Sequence, residues 1–321
     1  MIICLVTAAL LFNASFAQAQ QTGKVARIGF LDNGNASSTA VLVDGFRQEL
    51  IKLGWVEGKS ITIDYRFAEG KTDRLAELAA ELVRLKVDLI VTTGDPQGRA
   101  AKGATSTIPI VMADVADPVG SGLIASLARP GGNVTGLSSL GTELNSKRLE
   151  VLKDAVPKLA RVGLQRGGAI SPQLKDLRAA ALALKLKLEE IETQSDSKGL
   201  ENAFQTAKQK RVDAIMTFTA RRFFAERKRI VELAGKYRLP AIYFQKEFVD
   251  EGGLMSYGAD YTDLYRRAAV YVDKILKGAK PADLPVQQAA KFEFVINLKT
   301  AKQIDLTIPV RVLERANQVI K

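Results

Sequence analysis

The chain says nearly the same thing twice. Arg27-Ile-Gly-Phe-Leu31 opens one half and Arg161-Val-Gly-Leu-Gln165 opens another. Val87-Asp-Leu-Ile-Val-Thr92 is echoed by Val212-Asp-Ala-Ile-Met-Thr217, and Ile108-Pro-Ile-Val-Met112 by Leu239-Pro-Ala-Ile-Tyr243. Each run is short, apolar and preceded by a helical pattern, which is how a strand buried on both faces of a parallel sheet reads. Two such α/β units make two lobes, and the space between two lobes is where small ligands usually bind.

The 321 residues are enough for two domains with separate cores, and 47% hydrophobic with 25% charged residues is ordinary globular composition. Met1–Ala19 is uncharged, Ile2–Phe12 is largely apolar, and Ala17-Gln-Ala19 has the small-x-small pattern of a cleavage site. Residues 1–19 are therefore expected to be a secretory signal peptide. Its removal takes away the single cysteine, and the chain has no histidine. Neither a Ser-His-Asp nor a Cys-His site can be built, and the usual zinc ligands are missing. No catalytic role, no cofactor and no metal are expected. The net charge is +11, but the Lys and Arg residues are spread over helical faces, as in Arg227-Lys-Arg229. That describes a solvated basic surface, and no nucleic-acid partner is expected.

In the first unit the pattern predicts strands at Ala26–Leu31, Ile61–Arg66, Leu89–Thr92, Ile108–Ala113 and Val134–Leu137. Helices are predicted at Ala40–Leu53, Thr72–Leu85, Gln97–Ala104 and Val119–Leu127. The second unit repeats this, with strands at Arg161–Leu164, Leu186–Ile191, Ala214–Phe218, Ala241–Phe244 and Leu254–Ser256. Its helices run over Pro172–Leu184, Gly199–Lys210 and Phe223–Tyr237. Right-handed crossovers make each unit a doubly wound parallel sheet. Tyr261–Leu276 reads as a helix capped by Thr262 and stopped by Gly278; Phe292–Ile296 reads as a strand followed by a helix opened by Asn297. The Tyr261 helix is expected to return to the first lobe. This gives lobes of 24–139 plus 258–285 and 140–257 plus 286–321. They are joined by a three-crossing hinge near Ser138–Gly141, Tyr257–Ala259 and Pro285–Lys291.

Ligands of open α/β sheets bind outside the carboxyl ends of the strands. The candidate loops are Asp32–Thr39, Thr93–Gln97 and Asp114–Gly120 in the first unit, and Gln165–Pro172, Thr219–Arg222 and Gln245–Asp250 in the second. Asp95-Pro96, Asp117-Pro118 and Ser171-Pro172 each place a capping residue before a proline suited to a first helical turn. Free N–H groups at such starts, with Gly94 beside one of them, favour an anionic ligand group, although plain capping explains any single pair. Ser37 and Ser38 add hydroxyls, and Thr219 another. Asp32, Asp114 and Glu247 suit an ammonium group. Arg221 or Arg222 suits a carboxylate, and Phe218, Phe244, Phe248 and Tyr257 a ring wall. Together they suit a small zwitterion or carboxylate. Gly120-Ser-Gly-Leu-Ile-Ala125 fits a dinucleotide fingerprint, but Asp114–Val119 separates it from its strand.

Several blocks carry a family resemblance. Asp117-Pro-Val-Gly-Ser-Gly-Leu-Ile-Ala-Ser-Leu-Ala-Arg-Pro-Gly-Gly-Asn-Val-Thr-Gly136 and Gly252-Gly-Leu-Met-Ser-Tyr-Gly258 resemble blocks of the substrate-binding proteins of a bacterial ABC transporter family. So do Tyr265-Arg-Arg-Ala-Ala269, Lys280-Pro-Ala-Asp-Leu-Pro285 and Phe292–Lys302. The resemblance spans nearly all of Lys24–Lys321. It implies a type I periplasmic-binding fold whose lobes close over a ligand, a periplasmic location, and delivery to an ABC permease in the inner membrane. Some relatives bind aromatic amino acids, which implies an amino-acid-like ligand. Gln288-Ala-Ala-Lys291 departs from the family's Gln-Pro-Thr-Lys, at a crossing segment. Asn33–Thr39 and Gly167–Pro172 match no fixed motif and are the loops expected to set ligand identity. An exported sensing subunit docking on a membrane receptor is the alternative within the same ligand class, and a nucleotide-using enzyme resting on Gly120–Ala125 is a third reading.

Overall fold

A computed structural model describes residues 25–166, 172–194 and 196–321. The expected signal peptide and Ser171 lie outside the described residues.

The first unit alternates strand and helix. β1 (Ala26–Asp32) leads into α1 (Ala36–Lys52), β2 (Ile61–Phe67) into α2 (Leu75–Arg84), and β3 (Leu89–Thr92) into α3 (Asp95–Ala104); β4 (Ile110–Val115) and β5 (Val134–Ser138) follow. Every residue of β3, β4 and β5 is buried, as their unbroken apolar runs require of a covered parallel sheet. The second unit has the same grammar: α4 (Gly141–Ala155), β6 (Arg161–Arg166), α5 (Pro172–Ala183), β7 (Lys187–Glu192), α6 (Ser197–Gln209) and β8 (Ala214–Thr217). It continues with α7 (Arg221–Ala225), α8 (Arg227–Lys236), β9 (Ala241–Tyr243), α9 (Glu247–Asp250) and β10 (Met255–Ala259). The tail supplies α10 (Tyr261–Leu276), β11 (Gln287–Gln288), β12 (Phe292–Asn297), α11 (Leu298–Gln303), α12 (Val310–Leu313) and β13 (Gln318–Ile320).

The internal repeat is a repeat of topology. The first sheet runs β11-β5-β4-β3-β1-β2 and the second β13-β12-β10-β9-β8-β6-β7, so five strands follow the same order in each. All pairings of the first sheet are parallel. In the second, β12 runs antiparallel to β10 because the chain re-enters from the other sheet.

The chain passes between the sheets after β5, after β10 and between β11 and β12. The second passage falls at Asp260 and not over Tyr257–Ala259, because β10 pairs with β12 through Ala259. α10 then packs on α1 and β4, and the Trp55 indole N–H donates to Asp273 on α10 at 2.8 Å. In the other direction the buried Arg148 of α4 donates from Nε to the carbonyl of Tyr257 at 2.7 Å, clamping β10 just before it leaves the sheet.

Local chemistry moves several boundaries. α1 starts at Ala36, not Ala40, because Asn35 forms a capping box with Ser38. The helix expected over Val119–Leu127 is absent. Asp117 Oδ1 instead accepts the Gly120 N–H at 2.8 Å, Gly122 has φ +71°, and the Pro118 carbonyl gathers the N–H groups of Leu123 and Ile124. A Cβ at Gly120 would lie 2.0 Å from Asp117 Oδ2, so that glycine serves the turn. The single helix expected over Phe223–Tyr237 breaks at Glu226 into α7 and α8. α10 is capped by Asp260, which accepts the Asp263 N–H at 2.9 Å, and not by Thr262. Gly278 with φ +101° ends it, and Asn297 caps α11, both where the sequence puts them.

Asp260 therefore caps a helix at a passage between the sheets. Asp260→Ala should cost about 1 kcal/mol, as loss of an N-cap does, and be read as a lower urea midpoint with an unchanged slope.

Candidate functional site

The carboxyl ends of both sheets meet at a buried group of charges. Asp32 ends β1, Asp114 lies in β4, and Arg221 opens α7, just past the end of β8. Arg221 reaches from the second unit into the first. Its Nε lies 3.4 Å from Asp32 Oδ2, its Nη1 3.9 Å from Asp114 Oδ2, and its Nη2 donates to the Tyr265 hydroxyl on α10 at 2.5 Å. The Phe224 ring covers the guanidinium at 4.9 Å. Exposure is 0% for Asp32, 4% for Asp114 and 9% for Arg221, so the cluster is out of bulk water. A second link between the units is made by Arg227, whose Nη1 donates to the Ser38 carbonyl at 3.3 Å.

The three charges are not equally satisfied. Asp32 accepts from the Gly34 N–H and, at 2.6 Å, from the Thr93 hydroxyl, in addition to facing Arg221. Neither oxygen of Asp114 has a hydrogen-bond partner of normal geometry, and Arg221 Nη1 has none either. Burial therefore dominates at Asp114 and pushes its pKa up to about 6 despite Arg221; Asp32 and Asp95 push the same way. Burial also works against the charge on Arg221. Tyr265, Asp32 and Asp114 outweigh it and hold the guanidinium pKa above its ordinary value.

The remaining candidates divide into those the fold brings to this edge and those it uses elsewhere. Asp95 occupies the first turn of α3 after Gly94, the N-cap, whose φ of +85° suits glycine. Asp95 accepts the Ala116 N–H at 3.2 Å, tying α3 to the end of β4, and burial raises its pKa. Glu247 opens α9, half-buried, with its pKa raised by burial and lowered in part by Arg221. Thr219 sits beside the first passage: a Cβ at Gly141 would lie 2.7 Å from Ala116 Cβ and 3.7 Å from Thr219 Cβ. Asp117 closes its own turn. Ser38 is spent on the α1 cap, and Ser37, exposed, donates to Asn35. Tyr257 is half-buried and packs edge-on against Phe294 at 5.9 Å. Ser171 lies outside the described residues.

Two expectations change. Arg221 faces the protein's own carboxylates, while Arg222 turns to the Phe223 ring and toward Glu192. The expected ring wall is core: Phe218 belongs to one apolar cluster, and Phe244 and Phe248 pack on each other at 5.2 Å in another. Thr93, Gln165 and Gln245 head three of the candidate loops because they lie at or past strand ends, but the sequence gives them no individual role; Tyr265 is the residue missed altogether. Tyr265 lies on α10, which reaches the first sheet only because the chain passes back at Asp260. Gly120–Ala125 opens no helix, so the dinucleotide fingerprint lacks its phosphate-binding turn. A cavity of about 290 Å³ lies at the opposite edge of the second sheet, between α8, α11 and the start of β10, away from this charge cluster.

These features define a class: a two-lobed binder with a buried polar seam between its lobes. The family profile described as ABC transporter substrate binding protein matches residues 28–320. The chain belongs to that family. A tyrosine-binding protein of Clostridioides difficile (strain R20291) is 28% identical over 263 residues, covering 82% of this chain and 76% of that protein. Among solved structures, a conserved domain protein from Vibrio cholerae O1 biovar El Tor superposes with a TM-score of 0.85 at 29% identity, covering 92% of this chain and all of that one. An ABC domain from Streptococcus pneumoniae in complex with L-Trp superposes with a TM-score of 0.82 at 28% identity, with 92% of this chain and 100% of that one covered. The fold is the type I periplasmic-binding fold. Among the described residues no helix is long and apolar enough to cross a membrane.

The Asp114 carboxyl gives a pH-dependent test of the cluster. Its folded pKa of about 6 exceeds the ordinary 3.8. The folded state therefore holds a proton that the unfolded state has released, and stability falls as pH rises across that window. The full cost is about 3 kcal/mol at one pKa unit per 1.36 kcal/mol. Asp114→Asn should melt higher than wild type at pH 8, and the difference should vanish near pH 4. Equal melting temperatures at pH 8 would contradict the assigned burial.

Proposed function

We propose that this protein is the exported solute-binding component of an ABC importer and captures a small amino-acid-like ligand between its two lobes. The lobes divide at the three passages of the chain, and the signal-like segment 1–19 directs export to the periplasm. The partner is an ABC permease in the inner membrane. The protein binds and does not catalyse.

One observation carries the ligand class. At the seam between the lobes, Arg221 Nη1 is buried without a hydrogen bond, Asp114 is buried with no more than the Gly94 N–H near it, and Nη1 stands 3.9 Å from Asp114 Oδ2, beyond hydrogen-bond reach. A buried unmade donor beside a buried unmade acceptor is costly. An α-amino-acid head group offers both complements, its ammonium to Asp114 and its carboxylate to Arg221. Glu247 and the Gly94–Asp95 turn flank the head group. The tyrosine-binding relative and the L-Trp complex support the same class of ligand.

The mechanism follows from where the charges sit. Asp32, Asp114 and Tyr265 belong to one lobe and Arg221 to the other, so the full set exists only when the lobes are together. A ligand that completes it binds the closed form better and shifts the population toward it. The permease then meets a paired surface of both lobes.

Thermal-shift screening of residues 20–321, refolded to remove carried-over ligand, tests this. A zwitterionic amino acid at about a thousand times its dissociation constant should stabilise by roughly 4 kcal/mol. Asp114→Ala and Glu247→Ala should each weaken binding, and the same compound lacking its amine should give no shift. A response to sugars or dicarboxylates with none to amino acids would sink the reading.

A further inference from the structure

The two walls of the seam differ in chemistry. The first lobe contributes acids: Asp32, Asp95 and Asp114. The second contributes, besides Arg221 and Glu247, uncharged hydrogen-bonding side chains along the carboxyl edge of its sheet. Gln165, the penultimate residue of β6, pairs in register with Thr217 at the end of β8. The β8–β9 register sets Ile215 opposite Ala241 and Met216 opposite Ile242. Thr219 and Gln245 each lie two residues past the ends of these strands. Three neighbouring strands thus bring two amides and two hydroxyls to one edge.

None of these groups is satisfied by the protein. Gln165 is 0% and Gln245 1% exposed, and the amide nitrogen and oxygen of both lack partners. The hydroxyls of Thr217 and Thr219 are buried without partners too. Each such group costs free energy unless something completes it. The nearby Asp32 shows the contrast, with backbone, hydroxyl and guanidinium all directed at it. Among the described residues the nearest cations are engaged elsewhere: Arg222 turns toward Glu192, and Lys246 pairs with Glu293 at 3.5 Å.

We propose that Gln165, Thr217, Thr219 and Gln245 read an uncharged hydrogen-bonding group, an amide or a hydroxyl, at the end of the ligand away from its amino-acid head. This rests on the amino-acid reading and narrows it. A primary amide pairs donor-to-acceptor with a glutamine side chain, and a hydroxyl serves as either. A hydrocarbon end leaves the row unpaired, and an anionic end meets no available cation there.

Calorimetric titration with matched ligands tests it: L-glutamine against L-methionine, L-glutamine against L-glutamate, and L-tyrosine against L-phenylalanine. In at least one pair the neutral hydrogen-bonding member should bind more than about a hundredfold tighter, because a site built for a hydrogen bond rejects the analogue lacking it. The ratio should collapse toward one in a Gln165→Leu, Gln245→Leu double variant. The more conservative Thr219→Val should reduce it partway if the double variant fails to fold. Binding within about threefold for both members of every pair overturns the specificity row while leaving the amino-acid site standing. A ratio that survives in the variants overturns it as well. Silence toward all of these amino acids overturns the amino-acid reading and this inference with it.

Discussion

Arg221 is a guanidinium carried by one lobe and buried against carboxylates of the other. Removing such a charge from water costs several kcal/mol unless partners replace the solvent. The Phe224 ring of its own helix covers it, and Asp32, Asp114 and the Tyr265 hydroxyl reach it from across the seam. The interaction therefore couples electrostatics to lobe position. Its incomplete side is at Asp114, where the proposed ligand would contribute most. A seam satisfied throughout would close without a ligand, and one with no cross-lobe charge would give closure little direction.

The rest of the architecture delivers these groups to one place. Matching strand order in the two sheets points two carboxyl edges at each other. Tight local chemistry then fixes the approach: the Asn35 capping box ends the β1 loop, Asp95 ties α3 to Ala116, and Arg148 holds the Tyr257 carbonyl before the second passage. The helix α10, begun by the Asp260 cap, returns Tyr265 to the first lobe and places its hydroxyl under Arg221. One apolar cluster runs from Phe30, Phe46 and Tyr265 of the first sheet's side to Phe204, Phe223 and Phe248 of the second's, so the two sheets share packed surface beside the charge cluster.

Much of this is legible in the sequence. The apolar runs locate the strands because a strand buried on both faces tolerates little else, and the repeated runs give two units. The glycine and asparagine signals at Gly278 and Asn297 act within a turn or two, so they survive into the structure unchanged. The failures are also local at first sight. Val119–Leu127 has apolar spacing that fits a helix, yet Asp117 and Gly120 close a competing turn that spacing does not register. Ser37 and Ser38 look like ligand hydroxyls until Asn35 claims them for a cap.

The sequence by itself determined the fold class, the edge on which the site lies, and the chemical types available there, since these depend on periodicity and on position relative to strand ends. Only the tertiary structure decided how those groups are used. It turned Arg221 onto Asp32 and Asp114, sank Phe244 and Phe248 into the core, and left Gln165 and Gln245 unsatisfied at the seam. Such pairings join residues more than a hundred positions apart. They are set by how two sheets face across three chain passages, which no local pattern encodes.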